Sequence, residues 1–305
     1  MEYNITKIKQ LLKGEIISHI LFRTRPKYDK KYNFSICAIF KDEASFLQEW
    51  IEFNNMIGFD HFYLYNNNST DDYISVLKPF LRSGLVTLID FPEEHAQMKA
   101  YEHFYRSFRK ETQWVSFLDI DEFMCPISHT SLKEWITQYE KYPVIQIYWK
   151  MFGTSGKMEH DYKKLVIEQY HTCWEKLFHC GKCLINTDYD IIRFFAGTHH
   201  CPEVWYPFMG KKIIVHPVNI FHRSTIGNGD FFCADESHPT IQINHYRSKA
   251  WDIYDAKRKK TDVFYEKNPK TEMWNFLWHE QQDCVVDYQI QRYIMALKLR
   301  MANIN

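Results

Sequence analysis

The chain has 305 residues, and 38 Lys and Arg balance 38 Asp and Glu for a formal net charge of zero. That balance argues against a dedicated nucleic-acid binder, which needs a net basic face to neutralise phosphates, and a chain of this length builds a core without disulfide or metal staples. With 45% hydrophobic, 25% charged and an unusual 17% aromatic residues, it reads as globular rather than disordered, and the aromatic excess is compatible with covering sugar rings or nucleobases.

Along residues 1–32, Ile5, Ile8, Leu11 and Leu12, then Ile16, Ile17, Ile20 and Leu21, recur at helical spacing until a basic run from Arg23 to Lys31 breaks the pattern. This predicts a helix and a linker packed on the main domain, with peripheral contact to a membrane surface as the other reading. At Phe34 the texture changes. Residues 34–40 predict a buried strand, and Asp42 is placed to cap a helix carrying Phe46, Leu47, Trp50, Ile51 and Ile57 on one side. Residues 61–65 predict a second strand ended by the polar run Asn66 to Asp71, residues 86–90 a third, 97–110 a helix, and 114–118 a fourth strand. Strands separated by helix-length segments imply right-handed crossovers and a mainly parallel sheet. Ligands then gather beyond the carboxyl ends of the strands, near Lys41, Asn66 to Asp71, and Asp119 to Glu122. Beyond Pro126 come a predicted helix near 131–140, a strand at 144–148, mixed segments up to Tyr246, and a helical end with periodic apolar positions around Trp251 to Val263 and Val285 to Leu299. One domain with helical ends fits better than two independent units.

Three segments carry candidate chemistry. In an extended chain Asp119 and Asp121 point to the same side, and two hard oxygen ligands at a strand end suit Mg²⁺ or Mn²⁺, although a solvated acidic strand end looks the same. Asn66, Asn67, Ser69, Thr70 and Asp71 suit hydrogen bonds to a nucleobase and ribose, or else a plain Asx turn with a helix cap at Ser69 or Thr70. The run from Ile241 to Lys249 offers His245 as a third metal ligand and Arg247 and Lys249 as cations for a diphosphate, or else a partly buried His beside a basic helix start.

Eight cysteines follow no small-framework spacing, and the polar start Met1-Glu2-Tyr3-Asn4 is no secretory segment, so reduced thiols in a cytosolic protein are expected. Cys180-Gly181-Lys182-Cys183, with Cys173 before it and His199-His200-Cys201 after it, allows a zinc knuckle or ordinary core cysteines. A redox pair fits poorly, because nothing nearby resembles a thioredoxin-like turn.

Taken together, these segments resemble glycosyltransferase family 92. The resemblance rests on Cys37-Ala38-Ile39-Phe40-Lys41-Asp42-Glu43 leading to Glu49-Trp50-Ile51, on Gly58 through Asn67, on Gln97 ahead of a helix, and on Asp119-Ile120-Asp121-Glu122-Phe123. It continues through Phe152-Gly153-Thr154-Ser155-Gly156 and Asn244-His245-Tyr246, so that it covers roughly residues 34 to 262 in family order. The chain is also similar, more loosely, to bacterial family-2-like transferases.

The resemblance implies an α/β fold of GT-A type, with a mainly parallel central sheet flanked by helices and helical extensions at both ends. Its domain plan is an N-terminal helix and linker over 1–32, a catalytic domain over 33–250 and a C-terminal helical extension over 251–305. Within the catalytic domain, 33–125 form the nucleotide-sugar half and 126–250 the acceptor half. The implied activity is an inverting, metal-dependent transfer of a sugar, with galactose from UDP-galactose the first choice, onto a glycan acceptor. Bacterial surface polysaccharide or lipopolysaccharide synthesis, in the cytoplasm or at the inner face of the membrane, is the expected setting, with no nucleic-acid partner. Carried over by position, Asp119 and Asp121 match the metal and ribose-diphosphate motif and His245 the histidine near the metal, with Mn²⁺ or Mg²⁺ as the ion. Lys41, Glu43, Asn66, Asn67, Asp71 and Gln97 line the nucleotide, and Asn66 departs from the Asp often found there in related sequences. Lys182, ahead of a short strand, meets the diphosphate with Arg247 and Lys249. Glu168 is the general base, with Asp161 and Glu175 competing, and Asp119 joins it as a catalytic residue. Acceptor specificity falls to the loops 153–164 and 197–240.

The rival functions are a non-catalytic carbohydrate-binding protein and a zinc-stabilised domain of other function. A hydrolase using Asp121 and Glu122 as an acid/base pair is disfavoured, because neighbours on a strand face opposite ways.

Overall fold

The structure is a computed structural model and describes residues 5–21, 29–195, 197–226, 238–259 and 273–302. Helix α1 (Ile5–Ile20) precedes an alternation of strand and helix: β1 (Tyr32–Phe40), α2 (Ala44–Met56), β2 (His61–Asn66), α3 (Tyr73–Ser83), β3 (Val86–Asp90), α4 (Gln97–Phe108) and β4 (Thr112–Phe117). There follow β5 (Glu122–Pro126), α5 (Leu132–Trp135), β6 (Val144–Met151), α6 (Val166–Gln169), β7 (Thr172–Trp174), β8 (Phe178–Asn186), β9 (Asp190–Ile191), β10 (Val204–Phe208), β11 (Lys211–Val215) and β12 (Val218–Asn219). The chain closes with β13 (Ile241–His245), α7 (Trp251–Lys259), α8 (Met273–Glu280), β14 (Asp283–Val286) and α9 (Ile294–Ala302). Of the basic run from Arg23 to Lys31, residues 23–28 lie outside the described residues, as do 260–263 of the helix predicted around Trp251 to Val263 and 227–237 of the acceptor loop.

Among the described residues the main sheet has the order β3-β2-β1-β4-β8-β6-β13-β5, with β12 beside β6. β1, β2, β3 and β4 are mutually parallel, β8 runs antiparallel to both β4 and β6, and β13 is parallel to β6. The predicted parallel sheet is therefore present, with β8 and β5 inserted in the opposite sense. Its strands read as continuous apolar runs, because helices cover the sheet and leave no wet face to alternate with. β2 is buried at every position, and β1 from Phe34 onward.

This topology positions the site. β8 reverses direction between two strands that point the same way, so the carboxyl ends of β1, β2, β4, β6 and β13 all open on one edge.

Several local expectations are corrected. Asp42 does not cap α2: it sits in the left-handed region at φ 53°, which an Asp tolerates, and Glu43 takes the N-cap position. The amide that needed a cap, Ala44 N–H, donates instead to Asp71 Oδ2 at 2.7 Å, while Asp42 Oδ1 accepts from Thr70 N–H at 2.7 Å and Ser69 Oγ accepts from Asp42 N–H at 3.0 Å. The loops after β1 and β2 are thus clasped to one another, and Asp72, not Ser69 or Thr70, is the N-cap of α3. The helix expected over 131–140 is only α5, capped by Ser131, and a following 3-10 turn at Ile136–Gln138. Around Val285 the expected helix gives way to β14, which pairs antiparallel with β7 before a 3-10 turn at Gln289–Tyr293 and α9. A free strand edge on β7 outweighed a short helical periodicity there.

Candidate active site at the carboxyl edge of the sheet

Between β4 and β5 the chain makes a tight turn in which Glu122 N–H donates to Asp119 O at 3.0 Å. Asp119 and Asp121 are therefore presented by a turn and not by an extended strand, and they separate into two clusters.

Asp119 faces the middle of the sheet. Its Oδ2 accepts from Lys182 Nζ at 2.8 Å and its Oδ1 from Gln97 Nε2 at 3.2 Å. Lys182 lies inside β8, not ahead of a short strand, has no exposed surface, and reaches Glu122 Oε2 at 3.3 Å as well. Burial alone disfavours its charge, but Asp119 and Glu122 more than offset that and push its pKa up. Lys182 meets the two carboxylates and not open space for a diphosphate.

Asp121 faces the other way, toward His245 at the end of β13 and Lys257 on α7. Its Oδ1 lies 3.5 Å from His245 Nε2, and its Oδ2 accepts from Lys257 Nζ at 3.0 Å. Lys257 also reaches Glu43 Oε1 at 3.2 Å, so one ammonium bridges the turn after β4 and the start of α2. Burial raises the Asp121 carboxyl, yet Lys257, then His245 and Lys249, hold it well below the usual range. Burial lowers His245 against the pull of Asp121, leaving a neutral imidazole whose Nδ1 is buried with no partner among the described residues. Trp149 packs its ring 4.9 Å from that imidazole.

An ionised carboxylate facing a neutral imidazole is a donor set suited to a divalent cation that completes its shell with substrate phosphates. Lys257 stands in as the positive charge at that position. The residues therefore fit Mn²⁺ or Mg²⁺ at Asp121 and His245, with Asp119 turned away to Lys182 and Gln97.

Lys249 is wholly buried, has φ 50°, and holds its ammonium 4.3 Å over the Phe46 ring with no hydrogen-bond partner among the described residues. Burial and then Lys257 push its pKa down to about 8. Arg247 turns to α8, where Nη2 donates to Asn275 Oδ1 at 2.8 Å.

The nucleotide candidates on β2 are at the right edge but spend their side chains on bracing it. Asn66 Nδ2 donates to Tyr73 Oη at 2.9 Å and Asp90 Oδ1 at 3.1 Å, and its Oδ1 accepts from Ser69 N–H at 3.0 Å. Asn67 Nδ2 donates to the carbonyls of Phe91 and Glu93 at 2.8 and 2.9 Å. Asp71 is the α2 cap already described, and Lys41 follows β1 at the same edge. Glu168 on α6 is ion-paired with Lys298 Nζ at 2.8 Å, which holds its carboxyl below the ordinary range. Such a carboxylate is poorly matched to a base working near neutral pH. Asp161 Oδ1 accepts from Lys163 N–H at 3.0 Å, and Glu175 is exposed.

Of the two cysteine readings, the structure agrees with core residues. Cys173, Cys180, Cys183 and Cys201 are buried, with burial raising the thiols of Cys173, Cys183 and Cys201, and they do not form a set of three close enough to share an ion. Among the described residues the one set of three His, Cys, Asp or Glu side chains close enough to share an ion lies elsewhere, at His279, Glu280 and Asp283.

Sequence reasoning missed Lys257, Trp149 and the pairing of Glu122 with Lys182. Only the charge of Lys257, in a helix opening with Asp252, was visible, and nothing in it pointed 136 residues back to Asp121.

The described chain is a mixed α/β structure whose large central sheet is flanked by helices, with acidic and imidazole groups at its carboxyl edge. The chain belongs to glycosyltransferase family 92, whose sequence profile matches residues 30–276. A family 92 protein of Oryza sativa subsp. japonica is 26% identical over 241 residues, covering 76% of this chain and 37% of that one. Galactan beta-1,4-galactosyltransferase of Arabidopsis thaliana is 26% identical over 137 residues, covering 40% of this chain and 27% of that one. The chain thus spans 37% of the length of the rice relative. Among solved structures, S. aureus TarS 1–349 with UDP-GlcNAc is similar at 14% identity and a TM-score of 0.31, over 42% of this chain and 37% of that one. Glucosyl-3-phosphoglycerate synthase of Mycobacterium tuberculosis with Mn²⁺ and UDP is similar at 14% identity and a TM-score of 0.26, over 42% and 51%.

Proposed function

We propose that this chain transfers a sugar from a nucleoside diphosphate donor, with UDP-galactose the first to test, onto a glycan acceptor, using Mn²⁺ or Mg²⁺. The observation that carries the reading is the Asp121 and His245 pair, an ionised carboxylate 3.5 Å from a neutral imidazole where parallel strands end, in a member of glycosyltransferase family 92. The galactosyltransferase among its relatives supports galactose as the first donor. The relatives reported above are plant proteins, and they lend no support to a bacterial surface polysaccharide as product.

Asp121 and His245 hold the cation. When bound, the ion acts as a Lewis acid that neutralises charge developing on the departing diphosphate. Lys182 and Gln97 fix the Asp119 carboxylate, which accepts from donor hydroxyls. Lys257, Lys249 and Arg247 add positive charge around the diphosphate, where charge develops in the transition state. Glu168, tied to Lys298, is not assigned the role of base.

The test is thermal unfolding with UDP, with and without Mn²⁺, for wild type and Asp121→Asn, followed by UDP release from UDP-galactose with glycan acceptors. Metal-dependent stabilisation of the wild type that Asp121→Asn lacks is expected. No shift of the wild type at millimolar UDP with Mn²⁺ sinks the UDP-sugar reading, and stabilisation with no UDP release from any donor points to a carbohydrate-binding protein instead.

A further inference from the structure

The segment from α8 to β14 contains a second group of metal-ligand side chains that the transferase reading does not use. His279 and Glu280 are the last two residues of α8, and Asp283 opens β14. One ligand atom from each lies within 4.8 Å of the others. His279 is only 2% exposed, and neither ring nitrogen has a hydrogen-bond partner among the described residues. Both Asp283 carboxylate oxygens are likewise buried without a partner. Buried polar groups are costly when nothing satisfies them, and four such atoms, from two side chains, converge here.

The loop facing the cluster is shaped to admit it. Glu280 is oriented by Thr154, accepting from its N–H at 3.1 Å and from its Oγ1 at 2.6 Å. At Gly153 any Cβ would overlap the Asp283 carboxylate and crowd Glu280, so only glycine leaves room for both acids beside the backbone. The Trp174 ring, 5.0 Å from the imidazole, walls off one side. A buried imidazole with both ring nitrogens unpartnered, beside the Asp283 and Glu280 carboxyl groups, is the donor set of a first-row divalent ion.

We propose that His279, Glu280 and Asp283 bind a divalent transition-metal ion, with Zn²⁺ the leading choice, which ties α8 and β14 to the Gly153 and Thr154 loop and is separate from the ion at Asp121. Arg247 already links α8 to the segment after β13 through Asn275, so an ion here would fix the same helix from its far end.

The experiment uses the full chain, stripped of metal by chelation, and titrates it with Co²⁺ as a spectroscopic probe in the absence of UDP. Uptake by the wild type and by Asp121→Asn is expected, with binding weakened by about tenfold or more in His279→Gln and in Asp283→Asn, each verified as folded by its unfolding transition. Equal binding by wild type and both variants, or no uptake by the wild type, overturns the proposal. Should both variants fail to fold, Co²⁺ soaked into wild-type crystals decides: an anomalous peak among the three side chains supports the site, and a peak only elsewhere removes it. Because UDP is absent and Asp121→Asn is a parallel arm, failure here leaves the donor-site reading standing, and failure there leaves this one.

Discussion

Lys182 has no surface of its own, yet its ammonium is held 2.8 Å from Asp119 and 3.3 Å from Glu122, with Glu122 wholly buried beside it. Removing one member of a buried charged set strands the others, at about 3–5 kcal/mol. Lys182→Met is therefore expected to lose about that much stability in urea denaturation, and adding Glu122→Gln is expected to recover part of it. A neutral effect of the single change would mean the set is not ionised. Glu49 makes a second residue-scale prediction. Its carboxylate accepts from the Val166 and Ile167 amides at 2.8 and 3.1 Å, but burial outweighs these bonds and the nearby Lys249 and pushes its pKa from 4.5 up to about 7. The folded chain thus keeps a proton that the unfolded chain releases. The stability this group contributes is full below pH 4.5 and falls as pH rises through about 7. Glu49→Gln is expected to flatten that part of the stability profile, and an unchanged slope would show that another group titrates. At this scale the strand-end residues Asp119, Asp121 and His245 were legible because polar residues that close apolar runs stand out. Lys257 was not, since its role depends on a fold-imposed meeting with Asp121.

Among the elements, the strands were the most legible: β3 spans the predicted residues 86–90, and β1 and β2 differ from expectation only at their ends. Long apolar runs leave few alternatives. The failures were short segments decided by neighbours, such as β14, whose edge partner β7 lies more than a hundred residues earlier in sequence. The terminal helix α9, expected as part of a helical extension, packs against α2. Leu297 has no exposed surface, and Arg300 Nε donates to Glu52 Oε2 on α2 at 2.8 Å. Burial, not the ion pair, should dominate this docking. Leu297→Ala is expected to cost about 2–5 kcal/mol, whereas Arg300→Ala at a largely exposed site is expected to cost about 1 kcal/mol or less. Chemical denaturation of the two variants checks the ranking, and the reverse order would show that α9 is held electrostatically.

For the whole molecule, the reversed strand β8 is the decisive feature. Because β4 and β6 both run antiparallel to it, the ends of β1, β2, β4, β6 and β13 share one edge, and residues from Lys41 to Lys257 assemble there. A donor that binds this assembled edge and not the unfolded chain stabilises the fold by mass action, by about 2.7 kcal/mol at a hundredfold excess over its Kd. The UDP and Mn²⁺ experiment reads that linkage in the melting temperature. The sequence by itself determined the parallel strand-and-helix alternation, the family and the acidic strand end followed by a distant histidine, because apolar periodicity and ordered motifs are written along the chain. Only the tertiary structure decided that Asp119 turns to Lys182 and that Lys257 joins Asp121 and His245, that Asn66, Asn67 and Asp71 brace loops, and that Cys173, Cys180, Cys183 and Cys201 are core residues. Those outcomes depend on which side chains burial brings together, and a buried charge or amide must take the partner that the fold puts within reach.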